Sequence, residues 1–324
     1  MNVLGAARDY GEIMAIDLTA WDNFNRTREI TLPKRPLLRR GGAIFTMGTC
    51  FAADARVGLA AKGFRLLPDY ASIAFDPSEA LFGAANHYLA YYDTFTIRQE
   101  FESAFGLWTD RMAGAWNIRG SAVNTHFNSD VVYQEPSRRL VFAPSLEKLR
   151  AVTDAITETL RAGIEKADII LLSCGLAEVW RNAATGRYIC RAPTTSVGAG
   201  VGRATLHEST FAENYTNVKA TLALLFSRFP NKQVVMTVSA AHLYQTFAQA
   251  NVGIASVESK SILRAVLGQI VREYPNNVTY FPVYEMAAMA GSSVYQEDGQ
   301  HVLPSFTQSV VDSFVGAFVR EIGS

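Results

Sequence analysis

Residues 43–52, Ala43-Ile44-Phe45-Thr46-Met47-Gly48-Thr49-Cys50-Phe51-Ala52, restrict the fold more than any other stretch of the chain. An apolar run feeds a glycine, then two short nucleophile-type side chains, then a segment with helical character over residues 53–62. A strand buried on both faces reads as a continuous apolar run, and such strands belong to parallel sheets covered by helices. A tight turn after the strand delivers its side chains to the C-terminal edge of the sheet, where open α/β folds bind ligands. Gly48 allows the sharp turn, and the helix start offers unpaired N–H groups to developing negative charge. A thiol at that position gains further, because the same helix end favours thiolate over thiol. The competing reading of Cys50 is an ordinary buried cysteine behind a strand.

The pattern repeats along the chain. Residues 63–68 read as a second strand, and residues 76–79 as a helix start with Asp76 as cap and Pro77 in the first turn. Residues 94–105 read as helix. Residues 145–166 form an amphipathic helix, with Leu149, Val152, Ile156, Leu160 and Ile164 at helical spacing. Strand 168–173, helix 211–229, strand 233–238, helix 259–274, strand 278–281 and helix 304–322 follow. Strands alternating with helices imply an α/β fold, with a mostly parallel sheet between helical layers. Residues 106–144 break the alternation with Trp108, Trp116 and two hairpin-like pieces, so they are expected to form an insertion that walls one side of a pocket. Residues 1–40 are expected to be an N-terminal extension of a single domain spanning 1–324.

Charge and cysteine content exclude several function classes. Thirty basic and thirty acidic residues leave no net charge, which argues against a nucleic-acid or anionic-lipid partner. Three widely spaced cysteines do not make a disulfide framework, so a reducing, cytoplasmic setting is expected. The first 21 residues carry Asp9, Glu12 and Asp17 and lack an apolar stretch, so no secretory signal is expected. No apolar run reaches membrane-spanning length. His87, His126 and His207 lack ligand spacing to Cys, Asp or Glu, and neither a metal nor a cofactor is expected.

Gly48-Thr49-Cys50-Phe51-Ala52 resembles the signature of the GSCFA family, with Thr in place of the usual Ser. That family is similar to the SGNH, or GDSL-type, hydrolases. Further blocks follow in the family's order. Gly175-Leu176-Ala177-Glu178-Val179-Trp180 resembles its Gly-Leu-Thr-Glu-x-Trp segment, and Thr237-Val238-Ser239-Ala240-Ala241 its Thr-Val-Ser-Pro-Val. Residues 259–264 and 280–285 match other blocks, and Asp298-Gly299-Gln300-His301 is similar to the closing Asp-x-x-His of SGNH enzymes. The resemblance implies a three-layer α/β/α fold of SGNH-hydrolase type, flavodoxin-like in its sheet.

It also implies a chemistry. Cys50 would be the nucleophile, His301 its general base and acid, and Asp298 the carboxylate that orients the imidazole. Thr49 stands where GDSL enzymes carry Asp, and is assigned to shaping the turn with Gly48. The oxyanion hole departs from the pattern: Ala177 stands where an Asn is expected, and Tyr92 and Asp93 replace a Gly and an Asn upstream. That leaves the Cys50 amide and the Gly175 region as donors, with Glu178 either ordering the loop or meeting the substrate. His242 follows a strand end and is placed at the pocket or just behind it. Lys260, between two serines, is read as a structural helix start. Cys174 ends a strand beside Cys50, which leaves a redox pairing open. The glycines at 198, 200 and 202 lack the preceding strand of a phosphate loop and read as a flap. The expected function is hydrolysis or transfer of an acyl group from a small-molecule or carrier-bound ester or thioester. The alternative is a non-catalytic binding protein on the same scaffold. Oligomeric state is left open.

Overall fold

The computed structural model describes residues 30, 32–82, 89–138, 140–190 and 202–320. The extension up to residue 29, His87 and nearly all of the glycine-rich segment 194–203 lie outside the described residues.

Five strands form the central sheet: β1 (Ala43–Gly48), β2 (Arg65–Leu67), β3 (Ile169–Cys174), β4 (Gln233–Val238) and β5 (Val278–Tyr280). Every neighbouring pair is parallel, in the order β2-β1-β3-β4-β5. The order reverses direction between β1 and β3, and the crevice at such a switch point is where ligands bind in open α/β sheets. Register puts the ends of these strands level, with Gly48 opposite Ser173 and Val238 opposite Cys174. The turns after β1, β3 and β4 therefore converge at one edge.

Side chains leave each strand alternately to two separate cores. Ala43, Phe45 and Met47 of β1, with Ile170 and Leu172 of β3, join one core; Ile44, Ile169 and Leu171 join the other. Helices α2 (Thr94–Ala104), α3 (Leu146–Lys166), α4 (Phe211–Arg228) and α5 (Val252–Glu273) cover the first face. Helices α1 (Cys50–Ala61), α6 (Val283–Ala290) and α7 (Pro304–Phe318) cover the second. Helix α3 follows the expected spacing: Leu149, Val152, Ile156, Leu160 and Ile164 are all buried, and the Ser145 side chain accepts the Lys148 N–H at 3.2 Å as its cap. Burying each of these five side chains is worth about 1.5–3 kcal/mol. Helix α1 lies close on α7, because a Cβ at Gly58 would sit 2.9 Å from Val311 Cγ2.

Residues 106–144 do form antiparallel structure. Their hairpin pairs Tyr133 with Ala143 and Gln134 with Phe142, within a four-stranded sheet completed by Trp116–Ile118 and Leu81–Phe82. The unit is tied to the main body by a buried ionic cluster. Glu100 of α2 accepts from Arg111 at 2.7 Å and from Arg138 at 2.7 and 3.1 Å, and Arg138 also donates to Thr153 O and Thr157 Oγ1 at 2.8 Å.

Three expectations are corrected. Residues 76–79 make a turn rather than a helix start: Asp76 Oδ1 accepts both the N–H and the hydroxyl of Ser78, and no helical turn propagates. Helix α5 begins at Val252 rather than 259, capped by Asn251, whose Oδ1 accepts from Gly253 and Ile254. The last helix stops at Phe318, where Val319–Arg320 leaves to pair in parallel with Leu38–Arg39.

Candidate active site

The turns after β1, β3 and β4 open on a cavity of about 340 Å³, which Thr49, Cys50, Gly175, His242, Lys260 and His301 all line. Cys50 is the first residue of α1. It reaches that position because β1 ends on Gly48, whose φ of 150° and crowded surroundings exclude a side chain. A Cβ there would lie 2.2 Å from Ser173 O. Thr49 is buried, and its hydroxyl leaves the helix uncapped. It donates instead to Ser239 Oγ at 2.9 Å and so ties the turn after β1 to the turn after β4.

Asp298 and His301 sit on one turn between α6 and α7. Asp298 Oδ1 accepts the N–H groups of Gln300 (2.9 Å) and His301 (3.0 Å), and Oδ2 meets His301 Nδ1 at 2.6 Å. Since a carboxylate only accepts, Nδ1 carries the proton and Nε2 is left as the base. The bond from His301, with the two amides, holds Asp298 down to a pKa of about 2. Burial raises the pKa of Asp54, one helical turn along α1 from Cys50, and the charge of His301 offsets only part of that rise. His301 lines the same cavity as Cys50.

His242 braces this turn. Its N–H donates to Gln300 O at 3.1 Å, its ring stacks on Tyr295 at 4.4 Å, and Nδ1 lies 3.3 Å from Ser256 Oγ. Burial, then the charge of Lys260, pulls its pKa down. Glu178 orders a loop: it accepts the Thr246 hydroxyl and, at 3.0 Å, the Phe247 N–H.

The cavity's outer wall is not the 106–144 unit, none of whose described residues lines it. The wall is a three-stranded antiparallel sheet of Glu178–Asn182, Tyr188–Ile189 and Ala204–Glu208, with the loop 243–247 leaning against it. Trp180 and Phe247 meet edge to face at 5.1 Å, and Val179, Ile189 and Leu243 add to an apolar surface. The sequence carries no clear period for these strands, because their two faces mix charged and aromatic residues.

The expected oxyanion donors are largely engaged. The Gly175 and Leu176 N–H groups both donate to Tyr92 O, at 2.8 and 2.9 Å, and the Ala177 N–H donates to Ser259 Oγ at 3.2 Å. Asp93 is turned inward to cap α2, accepting from Phe95 and Thr96 N–H at 2.9 and 2.7 Å. Burial raises its pKa to about 6 despite those bonds. Cys174 and Cys50 are both free thiols, and Cys174, in the core, is raised to about 12 by burial and by Asp93.

Lys260, expected as a structural helix start, instead lines the cavity. It is no helix start: it lies in the middle of α5, 1% exposed, and donates from Nζ to Gly175 O at 3.1 Å. The signal was present. Position 260 falls on the helical stripe of Ser256, Leu263, Leu267 and Ile270, all buried, so a lysine there has to point inward. Among the described residues no group of three or more His, Cys, Asp or Glu could hold a metal, and no helix is long and apolar enough to cross a membrane.

A family model described as "GSCFA family" matches residues 43–314. No curated protein matches the chain.

Proposed function

The chain belongs to the GSCFA family, and we propose that it is an acyl-group hydrolase or acyltransferase working through a Cys50 thioester. In this proposal the α/β body is a single catalytic domain of SGNH type acting in the cytoplasm. The observation that carries the reading is the convergence of Cys50, at the start of a helix, and the Asp298–His301 pair on one cavity. His301 Nε2 takes the thiol proton, and the sulfur attacks the acyl carbonyl carbon. A carbon–sulfur bond forms while the carbonyl π pair moves to oxygen. Collapse expels the leaving group, which receives the proton from His301, and water or another acceptor then repeats the sequence on the thioester. The apolar wall around Trp180 suits a hydrocarbon acyl group, small or carrier-bound.

Asp298 remains ionised to about pH 2, so the acid limb of an activity profile does not belong to it. A short acyl-thioester should add one acyl mass to the peptide containing residues 48–51. His301→Ala should lose the adduct, Asp298→Asn should slow it through the wrong tautomer, and Thr49→Ala should keep it. An adduct on Thr49, or unchanged turnover in Cys50→Ala, would mean the nucleophile is misassigned. The engaged amides of Gly175 and Leu176 favour a second reading, a binding protein on this scaffold. It predicts that Cys50 alkylates with iodoacetamide no faster than Cys174 and Cys190.

A further inference from the structure

The acyl-transfer reading leaves one charge unaccounted for: the oxyanion, with the amides of the β3 turn already bonded elsewhere. We infer that Lys260 supplies the counter-charge for this site, holding the Cys50 thiolate before attack and the carbonyl oxyanion after it. The inference rests on Cys50 being the nucleophile and adds the group that makes its anion affordable.

Three observations carry it. Lys260 lines the cavity together with Thr49 and Cys50, although it approaches from the opposite face of the sheet on α5. Its position is fixed by the bond to Gly175 O, which uses one of three ammonium protons and leaves two to turn toward the cavity. No carboxylate lies within ion-pair distance of it among the described residues, although nine-tenths and more of its surface is covered. A cation buried that deeply without a counter-ion is costly unless it meets an anion during the working cycle.

The ionisable groups around it are Cys50 at the start of α1, Cys174 at the end of β3, Asp93 before α2, His242 after β4 and His301 before α7. Burial lowers Lys260 to about 7 even with the negative forms of Cys50 and Cys174 pulling it upward. The coupling to Cys50 is mutual, so the ammonium favours the thiolate by as much as the thiolate favours the ammonium. During attack the negative charge passes from sulfur to the carbonyl oxygen. The protonated form of Lys260 is the one that serves in this scheme, and proton transfer stays with His301.

The test is the pH dependence of Cys50 alkylation by iodoacetamide in the full chain. In Lys260→Met and Lys260→Gln the midpoint of the rate–pH curve should rise by about one unit, with a roughly tenfold slower reaction at pH 7. Lys260→Arg should restore most of the rate, and the slow reactions of Cys174 and Cys190 should not change. A lysine replacement that only loosened the fold would speed those two instead. A second measurement needs no substitution. In protein with 13C-labelled lysine, one side chain should titrate near neutrality, and the uncharged carboxamidomethyl group on Cys50 should move that titration to lower pH. An unchanged Cys50 curve in the variants, or a lysine titration indifferent to the adduct, overturns the inference. Failure of the underlying reading looks different: Cys50 in the unmodified protein would then react no faster than the other two cysteines.

Discussion

Arg138 and Lys260 are two cations with the same burial, 0% and 1% exposed, in opposite circumstances. Arg138 meets a carboxylate along two edges, a carbonyl and a hydroxyl. Burial pulls its pKa down, but Glu100, Tyr91 and Glu135 together outweigh burial and the net shift is upward. Glu100 in turn is held below the usual carboxylate range by Arg111 and Arg138 against the pull of burial. Lys260 has one carbonyl, and burial wins. Depth alone does not say whether a buried charge is structural; its partners do. The paired cation fastens a subdomain, and the under-partnered one faces the cavity.

The contrast breaks most visibly at Glu100. Glu100→Ala strands the buried Arg138 and leaves Arg111 with Glu135 alone, 3.4 Å away, and a loss of about 3–5 kcal/mol is expected in urea unfolding. A loss near zero would mean that water reaches the cluster and that the two cations are alike after all. Lys260→Met should act with the opposite sign. The folded-state pKa near 7 lies below the ordinary lysine value, so the group costs stability fully below pH 7. That cost fades as pH rises toward the unfolded-state value. The variant should therefore be more stable than the parent at pH 6–7, on the order of a few kcal/mol, less about 1 kcal/mol for the Gly175 carbonyl left without a donor. The gain should shrink toward pH 10, and a pH-independent difference would show that Lys260 is not a buried charge. The smallest effect sharpens the picture of the wall. Thr246→Val removes the hydroxyl bonded to Glu178 and should cost about 1 kcal/mol, read as faster amide exchange at residues 246–249 rather than as a shifted global transition.

The central sheet was legible because β1, β3 and β4 are buried on both faces, and such strands announce themselves as unbroken apolar runs. That Cys50 and His301 line one cavity, with Asp298 against His301, was legible because each lies within a short motif whose neighbours fix the local geometry. The wall at 178–208 was not. Its strands are short and half-exposed, with Glu178, Arg181 and Asn182 interleaved among apolar residues, so no period stands out. The site of Lys260 follows from tertiary packing, since a charged side chain on an apolar stripe is read correctly only when the stripe itself is followed. Asp76 failed for the converse reason. The local signal was real, as its bonds to Ser78 show, but a cap without buried residues behind it does not nucleate a helix.

The close seating of α1 on α7 at Gly58 and Val311 bears on the order in which the molecule is made. The helix that begins with the thiol is synthesised early, and the turn that carries Asp298 and His301 is followed at once by α7. A growing chain can finish its sheet before the turn that carries His301 is made. On the proposed mechanism, the two halves of the site are clamped together only when α7 docks on α1, so a product truncated before Asp298 would lack both one side of the cavity and the group assigned as base.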